Sequence, residues 1–237
     1  MVQCEKVVVF DLDETLGHFV QLGIFLDVIE QTLFVSLTDK EFFELLDLYP
    51  EFLRPNIMNI LKLICGKKKQ NICGKLLIYT NNQGPKEWAI KIKKYFEHKL
   101  KNKCFDQIIA AYKVNGKQVE LCRTSHDKSY GDFLACSKLP PNTKICFLDD
   151  QYHPKMAHDN VVYINLKPYS YTLPFEEMIL RFMKKYNVTD LRFFEALTIN
   201  CSRYNFNVYE KSEIEQNVDN AVGKHIHKHL KQFLKKT

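Results

Sequence analysis

The chain has 237 residues, of which 46% are hydrophobic and 26% charged, and its net charge is +6. That is enough apolar material for one good core, alone or with an appendage, and an ordinary charge content for a soluble protein. No apolar run approaches the roughly 20 residues of a membrane span, and the opening "MVQCEKVVVF" lacks the apolar region of a signal peptide. An intracellular protein (cytoplasm or nucleus) with no membrane partner is therefore expected. The eight cysteines are scattered, with no C-x-x-C pair and no zinc spacing. Several (Cys65, Cys122, Cys146) lie in or beside apolar segments, so buried free thiols are expected. The sequons at Asn187 and Asn200 carry no meaning in such a protein.

Val7–Phe10 reads as a short buried strand that runs into two acids, Asp11 and Asp13. Phe19–Leu37 is apolar with β-branched and aromatic residues and fits one or two further strands, or a strand and a helix. Asp39–Leu48 has helical spacing behind a capping Thr or Asp. In "YPEFLRPNIMNILKLICG", Pro55 suits the first turn of a helix and Gly66 its end. Leu76–Tyr79 is a second buried strand, ending on Thr80 and Asn81. Trp88–Leu100 is helical, with Lys on its outer face. Ile108–Ala111 reads as a third strand, "SYGDFLACSKL" as a helix, Ile145–Leu148 as a fourth strand ending on Asp149 and Asp150, and "NVVYINL" as a fifth. Two amphipathic stretches close the chain. "LPFEEMILRFMKKYNVTDLRFFEALTI" reads as one or two helices, whose Phe182/Met183 and Phe193/Phe194 pairs should pack on the domain or on a partner. "VGKHIHKHLKQFLKKT" reads as a basic helix. Its histidines, His225, His227 and His229, do not all share one helix face, which disfavours a metal site.

Strands alternating with helices imply a parallel sheet wrapped on both sides, with ligands outside the carboxyl ends of its strands. Asp11/Asp13, Thr80/Asn81 and Asp149/Asp150 would then share one edge. Clustered carboxylates repel one another, and burying them uncompensated is costly. A hard divalent cation resolves this, and oxygen ligands favour Mg²⁺. Lys128 precedes the fourth strand by one helix and could reach the same edge; Lys113 or Lys117 could serve under another helix register.

"FDLDET", a strand ending in Thr80, then Lys128, then "FLDD" resembles the four motifs of the haloacid dehalogenase superfamily, in order, across roughly residues 5–167. "DLDETL" with His18 nearby, "FLRPNI" and "AHDNVVYI" resemble the phosphatases that act on the C-terminal domain of RNA polymerase II (FCP/SCP-like). At the second motif this chain departs from that family's Thr-Ala-Ser. Its "YTNNQG" is closer to polynucleotide 3′-phosphatases and histidinol-phosphate phosphatases.

The resemblance implies an α/β Rossmann-like fold of haloacid dehalogenase type. The phosphatase domain would span 1–170, with a small insert at about 17–50, and a helical C-terminal extension with a basic tail would span 171–237. It implies a Mg²⁺-dependent phosphatase. Asp11 would attack phosphorus, and Asp13 would act as general acid and then base. Mg²⁺ would be held by Asp11, the Asp13 carbonyl, and Asp149 or Asp150. Thr80, Asn81 and Lys128 would bind the phosphoryl oxygens. Thr15 is expected to fix the loop, Arg54 and Trp88 to pack, Asp127 to cap a helix, and His126 and His153 to lie at the surface or behind the site. A short insert implies an open site. A phosphorylated protein is the expected substrate, with a polynucleotide or small phosphomonoester as the alternative and nucleic acid as a partner for the basic tail. A non-catalytic adaptor would be expected to have lost one of Asp11, Asp13, Lys128 or the final acids, and all are present.

Overall fold

The computed structural model describes residues 6–236. Five strands form one parallel sheet: β1 (Lys6–Phe10), β2 (Lys75–Tyr79), β3 (Gln107–Ile109), β6 (Lys144–Asp149) and β7 (Val161–Asn165), in the order β3-β2-β1-β6-β7. Two further strands, β4 (Lys113–Val114) and β5 (Lys117–Gln118), make a separate antiparallel hairpin.

Both faces of the sheet are covered, which is why its strands are continuous apolar runs rather than alternating ones. Val8, Phe10, Leu76, Ile78, Cys146 and Leu148 face the larger core. That core is filled from α1 (Val20–Leu33), α2 (Asp39–Asp47), α3 (Ile57–Lys69), α4 (Lys86–Leu100), α6 (Phe175–Tyr186), α7 (Leu191–Ser202) and α8 (Glu213–Phe233). Val7, Val9, Leu77, Tyr79, Ile145 and Phe147 face a smaller core closed by Phe133 and Cys136 of α5 (Tyr130–Ser137). The result is a Rossmann-like α/β fold.

The strand order creates a crevice. From β1 the chain first builds outward to β2 and β3, then crosses to β6 and β7 on the other side. Neighbouring connections therefore diverge at β1 and β6, and the sheet opens at the carboxyl ends of those two strands.

Several sequence expectations need correction. Phe19–Leu37 supplies no strand; it forms α1, because Leu22, Phe25, Leu26 and Ile29 recur at helical spacing and all are buried. The expected insert is therefore helical, α1 followed by α2. Asn56, in a left-handed conformation (φ 67°), precedes α3, so Pro55 lies outside the helix and Gly66 lies within it. Ser129, not Asp127, caps α5, accepting from the Asp132 amide at 3.1 Å. Asp127 instead pairs with Lys155 at 2.7 Å.

Cys122 and Cys136 are bonded to each other, against the expectation of free thiols; the fold sets their Cα atoms 5.1 Å apart. Cys65, Cys104, Cys146 and Cys201 are free and buried, as expected. Among the described residues no helix is long and apolar enough to cross a membrane.

Candidate active site

The crevice begins with the turn after β1. The Asp11 amide donates to the Leu148 carbonyl at 2.9 Å, carrying the ladder one residue past the strand. The chain then folds back, with the Leu16 amide on the Leu12 carbonyl (2.9 Å) and Glu14 in the left-handed region (φ 54°). This turn puts two acids spaced i and i+2 on one side.

Gly17 permits the turn, since a Cβ there would lie 2.4 Å from the Phe52 carbonyl oxygen. Arg54 ties the turn down from inside. Only 1% exposed, it donates Nε to the Thr15 carbonyl (2.6 Å) and Nη2 to the carbonyls of Glu14 and Lys167. The expected packing role of Arg54 is thus a hydrogen-bonding one. Arg54→Met leaves those carbonyls short of donors and should cost roughly 3 kcal/mol or more of stability by urea unfolding. Arg54→Lys should recover little of it, because a lysine lacks the planar fork.

Lys128 is the centre of the site. It is 1% exposed, and its Nζ donates to Asp11 Oδ1 (2.5 Å) and Asp149 Oδ2 (2.7 Å). Asp149 Oδ1 also accepts from the Gln151 amide (2.8 Å), and His153 Nε2 lies 3.5 Å from its Oδ2. Asp150 is held by Thr15, whose hydroxyl donates to Oδ1 at 3.0 Å, so the expected loop-fixing role of Thr15 holds. Asp13 Oδ2 accepts from Asn82 Nδ2 (2.6 Å), while Asp13 Oδ1 is buried with no hydrogen-bond partner. Thr80 follows β2, and its hydroxyl accepts from the Asn82 amide at 3.0 Å. Asp11, Asp13, Thr80, Asn82, Lys128 and Asp149 line a cavity of about 150 Å³, together with Glu14, Asn81, Gln151 and His153.

One lysine does not neutralise four acids. Burial pushes the Asp11 carboxyl up to about 8; Lys128 opposes this, and the Asp149 and Asp13 charges add to it. Burial raises Asp13 as well, with Asn82 partly offsetting, and raises Asp150 against Thr15. Burial would also raise Asp149, but the His153 hydrogen bond and the Lys128 charge win and hold it below the usual carboxylate range. For Lys128, burial works against the charge, and Asp11 and Asp149 outweigh it, so its ammonium is held above the ordinary lysine value.

A hard divalent cation fits this donor set. Carboxylate oxygens of Asp11, Asp149 and Asp150 lie within 4.8 Å of one another, and an orphaned oxygen of Asp13 stands in the same cavity wall. A proton competes with such a cation at Asp11. Because the folded pKa of Asp11 is raised, the stability it contributes is complete below its unfolded value near 4 and is lost as pH rises through about 8. The rise in Tm given by Mg²⁺ over chelator should therefore be small at about pH 6 and larger at about pH 9. An equal rise at both would contradict this.

Asp11, Asp13, Thr80, Asn81, Lys128 and Asp149 line one cavity, with Asp150 beside it. Lys113 and Lys117 lie on the β4–β5 hairpin instead. His126 is exposed, as expected, whereas His153, expected at the surface or behind the site, lines the cavity beside Asp149. Trp88 packs edge-on against Phe42. His225, His227 and His229 belong to no group of close metal ligands among the described residues.

Sequence reasoning missed two residues. Asn82, next to the expected Asn81, makes the contact to Asp13. Arg123, 1% exposed, donates Nη1 to the carbonyls of Thr80 (3.1 Å) and Ala110 (2.9 Å), and so fixes the loop that carries Thr80. The second asparagine of the "TNN" run was the one signal that could have found Asn82; nothing in the pattern around Arg123 pointed to its role.

No family model, curated protein or solved structure matches the chain.

Proposed function

We propose that this chain is a Mg²⁺-dependent phosphatase of the haloacid dehalogenase type, working through an aspartyl-phosphate. The single observation that carries the reading is Lys128 bridging Asp11 and Asp149 in the crevice where the strand order reverses. A carboxylate nucleophile beside a buried ammonium, with a second acid two residues on, suits phosphoryl transfer.

Asp11 attacks phosphorus through a carboxylate oxygen and forms an acyl phosphate. Asp13, whose raised carboxyl can hold a proton, gives it to the departing ester oxygen. It then takes a proton from the water that opens the aspartyl-phosphate, and Asp11 is regenerated. The Thr80 hydroxyl accepts from the Asn82 amide, which leaves its own proton for a phosphoryl oxygen. The Lys128 ammonium offsets the charge that gathers on those oxygens, and Asn81 stands in the same wall. Mg²⁺, held by Asp11, the Asp13 carbonyl and Asp149 or Asp150, would supply further charge neutralisation.

The size of the cavity supports a substrate whose phosphate projects from a larger body. About 150 Å³ takes a phosphoryl group and little more, and α1 and α2 bury their apolar faces in the core. A phosphoserine or phosphothreonine in a protein is the reading we favour. The "TNNQG" loop favours a polynucleotide 3′-phosphate as the second.

The test is hydrolysis of p-nitrophenyl phosphate with Mg²⁺ and with chelator, followed by phosphopeptides against 3′-phosphorylated oligonucleotides. Mg²⁺-dependent turnover with preference for phosphopeptides is expected. Folded, Mg²⁺-loaded protein that hydrolyses none of them would sink the reading.

A further inference from the structure

The far end of the sheet has the opposite charge. Lys6, Lys75 and Lys144 open the three central strands; Lys6 sits opposite Lys144, and Lys75 opposite Val7, in register. Neighbouring strands are about 4.8 Å apart, so the three lysines form a short row.

Other lysines converge on that row. Lys6 Nζ donates to the Lys235 carbonyl at 2.8 Å, which brings the end of α8 onto this edge. The Gly74 amide donates to the Lys6 carbonyl at 2.8 Å, placing the turn after α3 beside it, with Lys67 and Lys69. Lys68 reaches the Cys104 carbonyl and Asp106, which draws in the segment after α4 with exposed Lys101 and Lys103.

Acids here are few among the described residues. Asp106 pairs with Lys68 and Glu97 with Lys93, which leaves exposed Asp159 before β7. The preference of helix ends for cations, about 0.3–1 kcal/mol each, accounts for Lys67–Lys69 and Lys101. It does not account for lysines at the start of three strands, nor for Lys103.

We propose that this lysine face binds the phosphodiester backbone of a nucleic acid. No arginine stands among these positions. Lysine offers point charges without the planar fork that reads base edges, so the contact is to phosphates and is independent of sequence. A polyanion as dense as nucleic acid engages many of these lysines at once. The face is one strand length, roughly 17 Å, from the acids of the crevice. The phosphates held at this face are therefore not the phosphoryl group that the crevice takes.

The experiment is fluorescence anisotropy of a labelled single-stranded oligonucleotide of about twenty nucleotides across a salt series. The native chain should bind at low salt, with affinity falling steeply as salt rises. Millimolar orthophosphate with Mg²⁺ should not displace the oligonucleotide. The variant Lys67→Glu/Lys69→Glu/Lys101→Glu/Lys103→Glu should bind at least about tenfold more weakly near 0.1 M salt, with a shallower salt dependence. Its circular dichroism spectrum should be unchanged. The same four positions as glutamine serve if the glutamate set fails to fold. No binding by the native chain, unchanged affinity in the variant, or displacement by orthophosphate would each overturn the proposal. Equal or tighter binding of polyglutamate would do so too, by assigning the face to acidic protein.

Discussion

If the proposed phosphatase chemistry holds, Asp11→Asn should abolish Mg²⁺-dependent hydrolysis of p-nitrophenyl phosphate, to below about one thousandth of the native rate, and leave the protein folded. Asparagine keeps the shape of the side chain and removes the nucleophilic oxygen. It also removes one of several crowded carboxylates, and Lys128 retains Asp149 as its partner. Thermal stability in chelator should therefore hold or rise while activity disappears. That combination separates loss of chemistry from loss of structure. Retained activity would move the nucleophile elsewhere and undo the assignment of Asp11.

Lys128→Met should have the opposite stability signature. It leaves Asp11 and Asp149 buried side by side with no counter-charge. Removing one partner from a buried ion cluster costs about 3–5 kcal/mol. For a chain of this size each kcal/mol moves Tm by about 2–4 °C, so Tm in chelator should fall by about 6–20 °C. Mg²⁺ should recover much of that loss, because a cation replaces the missing charge between the same carboxylates. Activity should stay low, since the phosphoryl oxygens still lack the ammonium. An unchanged Tm in chelator would show that Lys128 does not hold the two acids together.

How far the sequence reached depends on how local each signal was. The central strands were legible because strands covered on both faces are unbroken apolar runs, as in "VVVF" and "KICFL". α2 was legible from its helical spacing behind Thr38, which in the structure forms a full capping box with Glu41. The same signal, Ser212 with Glu215, opens α8, although periodicity alone placed that helix some ten residues later. α1 stayed ambiguous because its β-branched and aromatic residues suit a strand as well as a buried helix face. The β4–β5 hairpin turns on Asn115 and Gly116, both at positive φ, and "VNGK" carried that signal unread.

In the site, the carboxylates and Lys128 were legible because strand ends and motif order placed them. Asn82 and Arg123 were not. Their roles depend on which way a loop turns and on which carbonyls it leaves inside, and that is tertiary information. The Cys122–Cys136 bond was hidden for the same reason: the loop after Cys122 and most of α5 separate the two cysteines in the chain, and only the fold brings them together.

The measurement that bears most directly on the central claim is chemical trapping of the proposed aspartyl-phosphate. Native protein with Mg²⁺ is mixed with a phosphomonoester carrying radiolabelled phosphate, quenched in acid within one turnover, and digested. The label should stay on the peptide that contains Asp11, resist acid and leave with hydroxylamine, as an acyl phosphate does. Label on a serine, threonine or histidine, or turnover with no label retained on Asp11, would contradict an aspartyl-phosphate mechanism in this crevice.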